Sequence, residues 1–332
     1  MRKLWKQVRY RLEYIGLRLL AETIPRLPRR ASLALARGLG TLYYLFDHKT
    51  RAVALENLRL TLGAALDEIA RERVARASFL NFSRAMVDLF WARNLTKENY
   101  ARWTNPQGFE HAHEVVRKHG SVIFIVLHHG SYEWLSLSFG FAGLPVQIVS
   151  LDFKNPRLDD VFREIREHSG HTLIGQNQSM LKLLRAVRKR GGAGMLIDLA
   201  LKLDRPGVAI DALGMKMYAT FLHALLHART GIPLVPLTNV PHPDGTCTVT
   251  AHPPVSFPPG ATYQEIAQGC WTLMEPFIRE QPELWLWNYR HWRYKPKDAA
   301  REYPFYAHVA KKFDQAIAQP VGASGTSDER ED

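Results

Sequence analysis

At 332 residues, 46% of them apolar, the chain is long enough to bury a substantial core, and this excludes an intrinsically disordered protein. Its two cysteines, Cys247 and Cys270, exclude a disulfide framework and match no zinc-ligand spacing, as expected of a chain that faces the cytoplasm. The formal net charge of +12 favours an anionic partner, but charge alone does not choose among nucleic acid, anionic lipid and an acidic protein.

The first predicted element is a basic amphipathic helix at the N-terminus. Residues 1–56 hold twelve Lys or Arg against four Asp or Glu, so eight of the twelve net charges lie there. Apolar residues recur at three- and four-residue steps beside aromatic and basic residues. The apolar stripe consists of Leu4, Val8, Leu12, Ile15 and Leu19, with Trp5, Tyr10 and Tyr14 nearby. This pattern predicts a helix lying on a membrane surface, and the alternative is a helix packed on the domain with solvated arginines.

Charged residues interrupt the long apolar stretches of this region, among them Arg18, Glu22, Arg26 and Arg37. A helix that spans a bilayer needs roughly 18 or more apolar residues almost free of charge. The sequence therefore predicts neither a spanning helix nor a cleavable signal peptide here.

The rest of the chain divides into three regions. Residues 1–104 are predicted to be helical, because their apolar positions follow helical spacing. Residues 105–298 alternate short apolar runs with helical stretches, which predicts an α/β domain with a central, mostly parallel or mixed sheet flanked by helices. Residues 299–332 form a polar C-terminal tail, predicted to be largely disordered from about residue 315. The predicted strands are 121–127, 145–151, 192–199, 232–240 and 247–257, and the predicted helices are 157–168, 178–190 and 263–280.

The segment "HHGSYEW" (128–134) directly follows the buried strand at 121–127. Ligand and catalytic groups gather at the carboxyl ends of strands in α/β sheets, and His128 and Glu133 fall there. Gly130 permits a tight turn that would return the Glu133 carboxylate toward the imidazole, so that His128 can act as a general base. The alternative is a structural histidine. His129 is expected to be turned away from the site or structural.

Other motifs favour no cofactor or metal. The chain contains no nucleophile elbow, no dinucleotide-binding glycine motif and no Walker A loop. His223 and His227 in "HALLH" are one helical turn apart, but the glutamate of a zinc-protease motif is missing. Alternating Trp285, Trp287 and Tyr289 suggest one face of an edge strand or a membrane-interface belt, with core packing as the alternative.

Together these segments resemble the lipid A late acyltransferases of the bacterial lysophospholipid acyltransferase superfamily, the Kdo-lipid A lauroyl and myristoyl transferase type. "HHGSYEW" is similar to the family's H-x-G-N-W-E block. The other matching segments are "ENLRLTLG" (56–63), "KNPRLDDVFREIREHSG" (154–170), "GMLIDL" (194–199), "ARTGIPLVP" (228–236) and "PELWLWNYRHWRYKP" (282–296).

The resemblance implies an O-acyltransferase without a cofactor. In it, His128 is the general base on a hydroxyl of a lipid A precursor, Glu133 orients and charges the imidazole, and the hydroxyl attacks an acyl thioester directly. It also implies substrate-binding roles for other matched residues. Arg166 and Arg290 are candidates for the acceptor phosphate or the donor's phosphopantetheine, Asp198 for a supporting or acceptor-binding group, and Asn155 for a substrate contact.

The implied partners are acyl carrier protein or CoA as the thioester donor, a lipid acceptor and an anionic membrane surface, but not nucleic acid. The implied location is the cytoplasmic face of the bacterial inner membrane. Ser131 and Tyr132 depart from the family's asparagine and tryptophan, and Phe221 to His223 are larger than its usual residues, so the length of the acyl groove and the identity of the acceptor are left open. Two alternatives remain open: an acyltransferase for another glycolipid, phospholipid or amino-acid lipid, and a lipid-binding protein without activity.

Overall fold

The structure, a computed structural model, describes residues 2–150, 153–175 and 178–319. The helices are α1 (Arg2–Thr23), α2 (Arg29–Phe46), α3 (His48–Leu62), α4 (Glu68–Trp91), α5 (Tyr100–Thr104), α6 (Phe109–His119), α7 (Tyr132–Phe141), α8 (Pro156–Glu167), α9 (Ser179–Arg188), α10 (Leu222–Thr230), α11 (Tyr263–Glu280) and α12 (Lys311–Ala318). The strands are β1 (Pro106–Gln107), β2 (Ile123–Val126), β3 (Val146–Ser150), β4 (Thr172–Gly175), β5 (Gly192–Leu196), β6 (Val208–Ala212), β7 (Met215–Ala219), β8 (Leu234–Pro241), β9 (Cys247–Ala251), β10 (Tyr294–Lys295) and β11 (His308–Val309).

Seven strands form the central sheet in the order β1-β9-β8-β2-β5-β3-β4. All neighbouring pairs are parallel except β8 and β9, so the predicted fold class, an α/β fold with a mostly parallel central sheet flanked by helices, is confirmed. Strand β2 is buried along its whole length, as its continuous apolar run requires of a strand covered on both faces. It lies between β8 and β5, which brings the carboxyl ends of three distant chain segments together.

The N-terminal helices pack on this sheet domain through part of their surface. Helix α1 buries Ala21 and partly buries Tyr14 and Leu17 against the core. Its predicted stripe faces outward, since Leu12 and Leu19 are exposed, while Leu4 lies outside the described side chains. No helix in the described part of the chain combines the length and the apolar character that crossing a bilayer requires.

The tryptophan-rich segment at residues 285–292 packs into the core and does not form an edge strand. Trp285, Trp287 and Trp292 are all fully buried, so the alternative of core packing describes this segment correctly. Helix α12 extends to Ala318 and so includes the first residues of the tail that the sequence predicted to be disordered from about 315. The remainder, residues 320–332, lies outside the described residues. The sequence also missed β4 and the hairpin formed by β6 and β7.

Candidate active site

His128 lies two residues beyond the carboxyl end of β2, and its imidazole contacts a carboxylate that the sequence did not pair with it. The Nδ1 atom is 2.8 Å from Oδ1 of Asp198, and the backbone N–H of His128 donates to Oδ2 at 2.9 Å. Asp198 follows β5, which is parallel to β2 and adjacent to it in the sheet. A carboxylate on Nδ1 favours the tautomer with its proton there, which leaves Nε2 as a base. No described residue hydrogen-bonds to Nε2.

Asp198 is completely buried and stays ionised. Burial raises the pKa of its carboxyl, but the His128 imidazole and the indole N–H of Trp285, which donates to Oδ2 at 2.8 Å, outweigh burial and hold that pKa below the ordinary 3.8. The burial leaves no surface on Asp198 for an acceptor. Of the two roles predicted for Asp198, the supporting one fits these contacts and this burial better than an acceptor contact does.

The expected hydrogen bond between His128 and Glu133 is also wrong. Gly130 does form a turn, with φ of +64°, and its missing Cβ leaves room for the backbone carbonyl of Asn239. Helix α7 then begins at Tyr132, so Glu133 lies in the first helical turn and its side chain points toward α8. There its carboxylate pairs with Arg166 through two bonds, Nε to Oε2 at 3.0 Å and Nη2 to Oε1 at 2.5 Å.

Arg166 is positioned by this ion pair and by its own helix. The guanidinium lies 5.4 Å from the centre of the Phe162 ring. About a quarter of the Arg166 side chain is exposed, and its Nη1 atom has no hydrogen-bond partner among the described residues. Tyr132 is near this pair, and the centre of its ring lies 5.0 Å from that of the His128 ring. Burial raises the pKa of Tyr132, so its hydroxyl keeps its proton at neutral pH.

Asn155 has structural partners instead of the predicted substrate contact. Its side chain accepts from the backbone of Arg157 and so caps the N-terminus of α8. The same amide donates to the Tyr10 carbonyl at 2.9 Å and to Glu13 at 3.0 Å. Asn155 is 2% exposed, and therefore it ties α1 to α8 and presents no free surface to a substrate.

Arg290 forms no described contact with His128, Asp198, Glu133 or Arg166. It is exposed, and its guanidinium lies 5.6 Å from the centre of the Tyr306 ring. It borders a pocket with Lys202 and Arg293, and neither His128 nor Arg166 lines that pocket. The structure thus brings together His128, Asp198, Glu133 and Arg166 and places Arg290 at a second location.

Two buried polar residues support the site and were missed by sequence reasoning. Asp88, in the last turn of α4, accepts from the hydroxyl of Ser131 at 2.8 Å and from Arg29 at 2.6 Å. Asn57 donates to the carbonyls of Trp287 and Tyr289. A single aspartate within the apolar run "MVDLFW" was the available signal for Asp88, because an unpaired charge is rarely buried in a helix.

Three other histidines, His129, His223 and His227, are buried. His129 packs behind the site, where burial lowers the pKa of its imidazole to about 4, and Nε2 lies 3.1 Å from the Gln281 carbonyl. In "HALLH", His227 uses both ring nitrogens, toward the Ile232 carbonyl and the Phe257 N–H. No cluster that could hold a metal ion occurs within the described segments. His223 is different, since both of its ring nitrogens are buried without a partner among the described residues.

We expect His223→Leu to stabilise the protein and to reduce its sensitivity to acid. Burial lowers the pKa of His223 to about 3, against 6.5 in the unfolded chain. The unfolded state therefore binds the proton first, so stability is complete above pH 6.5 and falls as the pH drops toward 3, by about 2 kcal/mol at pH 5. The leucine variant should lose that dependence and gain about 1–2 kcal/mol at pH 7.5, since no unpaired polar atoms remain buried.

Urea unfolding at pH 7.5 and pH 5 measures this difference. His113→Leu, at an exposed position of α6, is the matched control and should change neither value by more than about 0.5 kcal/mol. A His223→Leu protein that is as sensitive to acid as the parent would contradict the expectation.

Comparison with known proteins identifies the family. The sequence model of the family described as bacterial lipid A biosynthesis acyltransferase matches residues 2–294. The chain is also similar to the lipid A biosynthesis lauroyltransferase of Escherichia coli (strain K12), with 23% identity over 300 residues, which cover 89% of this chain and 95% of the relative. The resemblance predicted from the sequence motifs is confirmed. The chain belongs to the bacterial lipid A biosynthesis acyltransferase family, and it is an acyltransferase.

Proposed function

We propose that the protein transfers a fatty acyl chain from an acyl thioester, carried by acyl carrier protein or CoA, to a hydroxyl of a lipid A precursor. The main support is the His128 and Asp198 pair at the carboxyl edge of the sheet, with Nε2 of His128 left without a partner among the described residues. Such a pair can activate a hydroxyl and needs no metal or cofactor to do so.

In the proposed reaction, Nε2 of His128 takes the proton of the acceptor hydroxyl while its oxygen attacks the thioester carbonyl carbon. The tetrahedral intermediate then collapses, the carbon–sulfur bond breaks, and the imidazolium returns the proton to the leaving thiolate. Ester and free thiol are the products, and no acyl-enzyme forms. The negative charge of the buried Asp198 carboxylate stabilises the positive charge that develops on the imidazole. Because Asp198 is buried, water does not screen this interaction.

Glu133 has a different role in this proposal from the one that the sequence suggested, whereas Arg166 keeps its suggested role. Glu133 holds the guanidinium of Arg166 in place by two hydrogen bonds, and both side chains adjoin Tyr132, which contacts His128. The unpartnered Nη1 of Arg166 is then a donor for a phosphate of the acceptor or of the donor's pantetheine arm. Glu133 thus contributes to the site by positioning a cation.

We further propose that the protein lies on the cytoplasmic face of the inner membrane through α1 and α2. Both helices carry outward-facing apolar residues. On α1 they are Trp5, Val8, Leu12, Ile15 and Leu19, and on α2 they are Leu35, Leu39, Leu42, Leu45 and Phe46. Phe46 is 75% exposed and Trp5 is 70% exposed, which is costly in water but favourable at the lipid interface. Exposed cations on the same helices, such as Arg9 and Arg37, would attract anionic headgroups.

The variant Leu42→Glu/Phe46→Glu should bind vesicles of phosphatidylglycerol and phosphatidylethanolamine more than about tenfold more weakly than the parent. The reason is that each apolar side chain contributes about 1.5–3 kcal/mol when it is fully removed from water. Flotation of the full chain with vesicles measures binding, and 0.5 M salt should weaken what remains. Leu273→Glu, at an exposed position of α11, is the control. Equal binding of the double variant would remove α2 from the proposed membrane face.

The function itself is tested by mass spectrometry of lipids from cells that lack or express the protein. An added mass of one acyl chain on a lipid A precursor, absent when His128→Ala is expressed, is the expected result. His113→Ala on the exposed face of α6 is the matched control and should retain the added mass. The same added mass on a different lipid would support the proposed acyl transfer but assign it a different acceptor. No increment on any lipid would reject the proposed function.

A further inference from the structure

A basic pocket is lined by residues that do not include His128. It has a volume of about 550 Å³ and is formed by three parts of the chain. The lining residues are Lys202, Leu203 and Asp204 from the loop after β5, Arg290, Arg293 and Tyr294 from the segment before and at β10, and Tyr306 and His308 from the segment at β11. Strands β10 and β11 pair in parallel and hold the last two of these parts together.

The pocket carries a net positive charge. Lys202, Arg290 and Arg293 line it against the single carboxylate of Asp204, and none of the three cations forms an ion pair with a described residue. The Nε atom of Arg293 is buried without a hydrogen-bond partner. Gathering like charges beside an unpaired buried donor costs free energy, and a bound anion would offset that cost.

The walls of the pocket are fixed by polar contacts. Asn57 donates to the carbonyls of Trp287 and Tyr289, and the hydroxyl of Tyr306 donates to Asn57 at 2.6 Å. The hydroxyl of Tyr289 donates to the Ala200 carbonyl at 3.1 Å and accepts from Arg293 at 2.9 Å. A pocket held in this way binds its ligand at a lower entropic cost than a flexible surface cluster does.

The same loop joins the pocket to the catalytic pair. Lys202 is four residues after Asp198, whose carboxylate contacts His128. Four residues span at most about 14 Å between Cα atoms, so one substrate molecule can reach both places. A hydroxyl at Nε2 of His128 and an anionic group in the pocket can therefore belong to the same phosphorylated sugar lipid, or the anionic group can belong to the thioester donor.

We infer that this pocket binds a phosphate group of one of the two substrates, through the guanidinium groups of Arg290 and Arg293 and the ammonium of Lys202. Arginine matches phosphate through paired N–H donors, and lysine adds a point charge. The inference rests on the proposed acyl transfer. It assigns to this pocket a recognition site distinct from Arg166, one that sets which phosphorylated substrate is held while His128 acts.

The first test is steady-state kinetics on the full chain with Lys202→Gln/Arg293→Gln. Losing two charge-assisted contacts should raise the KM for the phosphate-bearing substrate by about 10- to 100-fold and change kcat much less. A rise for the lipid acceptor alone assigns the phosphate to the acceptor, and a rise for the acyl thioester alone assigns it to the donor. Arg205→Gln, in the same loop but outside the pocket lining, is the matched control. Unchanged KM values for both substrates would overturn the inference.

A binding measurement separates failure of this inference from failure of the proposed function. Titration calorimetry with inorganic phosphate should detect binding to the His128→Ala protein, and the signal should weaken at least tenfold when the two pocket substitutions are added. If the wild-type protein transfers no acyl chain but this difference appears, the proposed function fails and the pocket still binds phosphate. If transfer occurs and phosphate binding is the same with and without the pocket substitutions, the inference is wrong and the function stands.

Discussion

Replacing Asp198 with asparagine is expected to lower kcat by about 10³- to 10⁴-fold with little change in fold. Oδ2 of Asp198 accepts two N–H groups, from the His128 backbone and from Trp285, so the oxygen of an asparagine would occupy that place. The amide nitrogen would then face Nδ1 of His128 and donate to it. The imidazole would have to carry its proton on Nε2, and the atom that should accept the hydroxyl proton would be blocked.

Single-turnover transfer of a labelled acyl chain measures this effect directly. Asp160→Asn, at an exposed position of α8, is the control and should stay within about twofold of the parent. Adding Trp285→Phe to Asp198→Asn removes one of the two donors that fix the amide, so part of the lost rate should return. An Asp198→Asn enzyme with near-normal kcat would show that the pair with His128 is structural.

The pKa of Asp198 lies below its usual value, so the carboxylate should stay charged throughout the range from pH 5 to pH 9.

Glu133→Gln and Arg166→Gln, made separately, are each expected to destabilise the fold by about 3–5 kcal/mol, because each leaves a charge in a largely buried place without its partner. The double variant should recover most of that stability, since two neutral amides can hydrogen-bond to each other. We expect its kcat/KM to remain reduced by at least about 100-fold, because the guanidinium that would bind a phosphate is still missing.

Urea unfolding and kcat/KM of the four proteins form a double-mutant cycle for this pair. A matched exposed pair is available in Glu114 and Lys118 on α6, 2.8 Å apart, whose neutralisation should cost less than about 1 kcal/mol. If the neutral double variant regains both stability and full activity, the pair of Glu133 and Arg166 only supports the fold. If Glu133→Gln alone abolishes transfer while Arg166→Gln remains active, the direct role that the sequence suggested for Glu133 would be favoured.

The sequence predicted the local elements well because their signals are local. The five predicted strands and three predicted helices between 121 and 280 all occur, with ends shifted by a few residues. Strand β4 was missed because "TLIG" is short and partly exposed, so its apolar signal is weak. The hairpin of β6 and β7 was missed because its turn places Leu213 before Gly214 at positive φ, where asparagine or aspartate is the usual sequence signal.

By itself the sequence determined that the chain contains an α/β domain with a histidine at the end of a buried strand. It also determined that the N-terminal helix is basic and carries an apolar stripe, and that the motifs resemble one acyltransferase family. The partner of that histidine was decided only by the tertiary structure. Asp198 is 70 residues from His128 and meets it because β5 pairs with β2, although β3 and β4 lie between them in the chain. Periodicity indicates which face of an element is apolar, but it does not indicate which strands are neighbours in the sheet.

Glu133 is close to His128 in sequence, but in the first turn of α7 its side chain points to Arg166. Spacing along the chain therefore suggested a contact that the helix geometry does not allow.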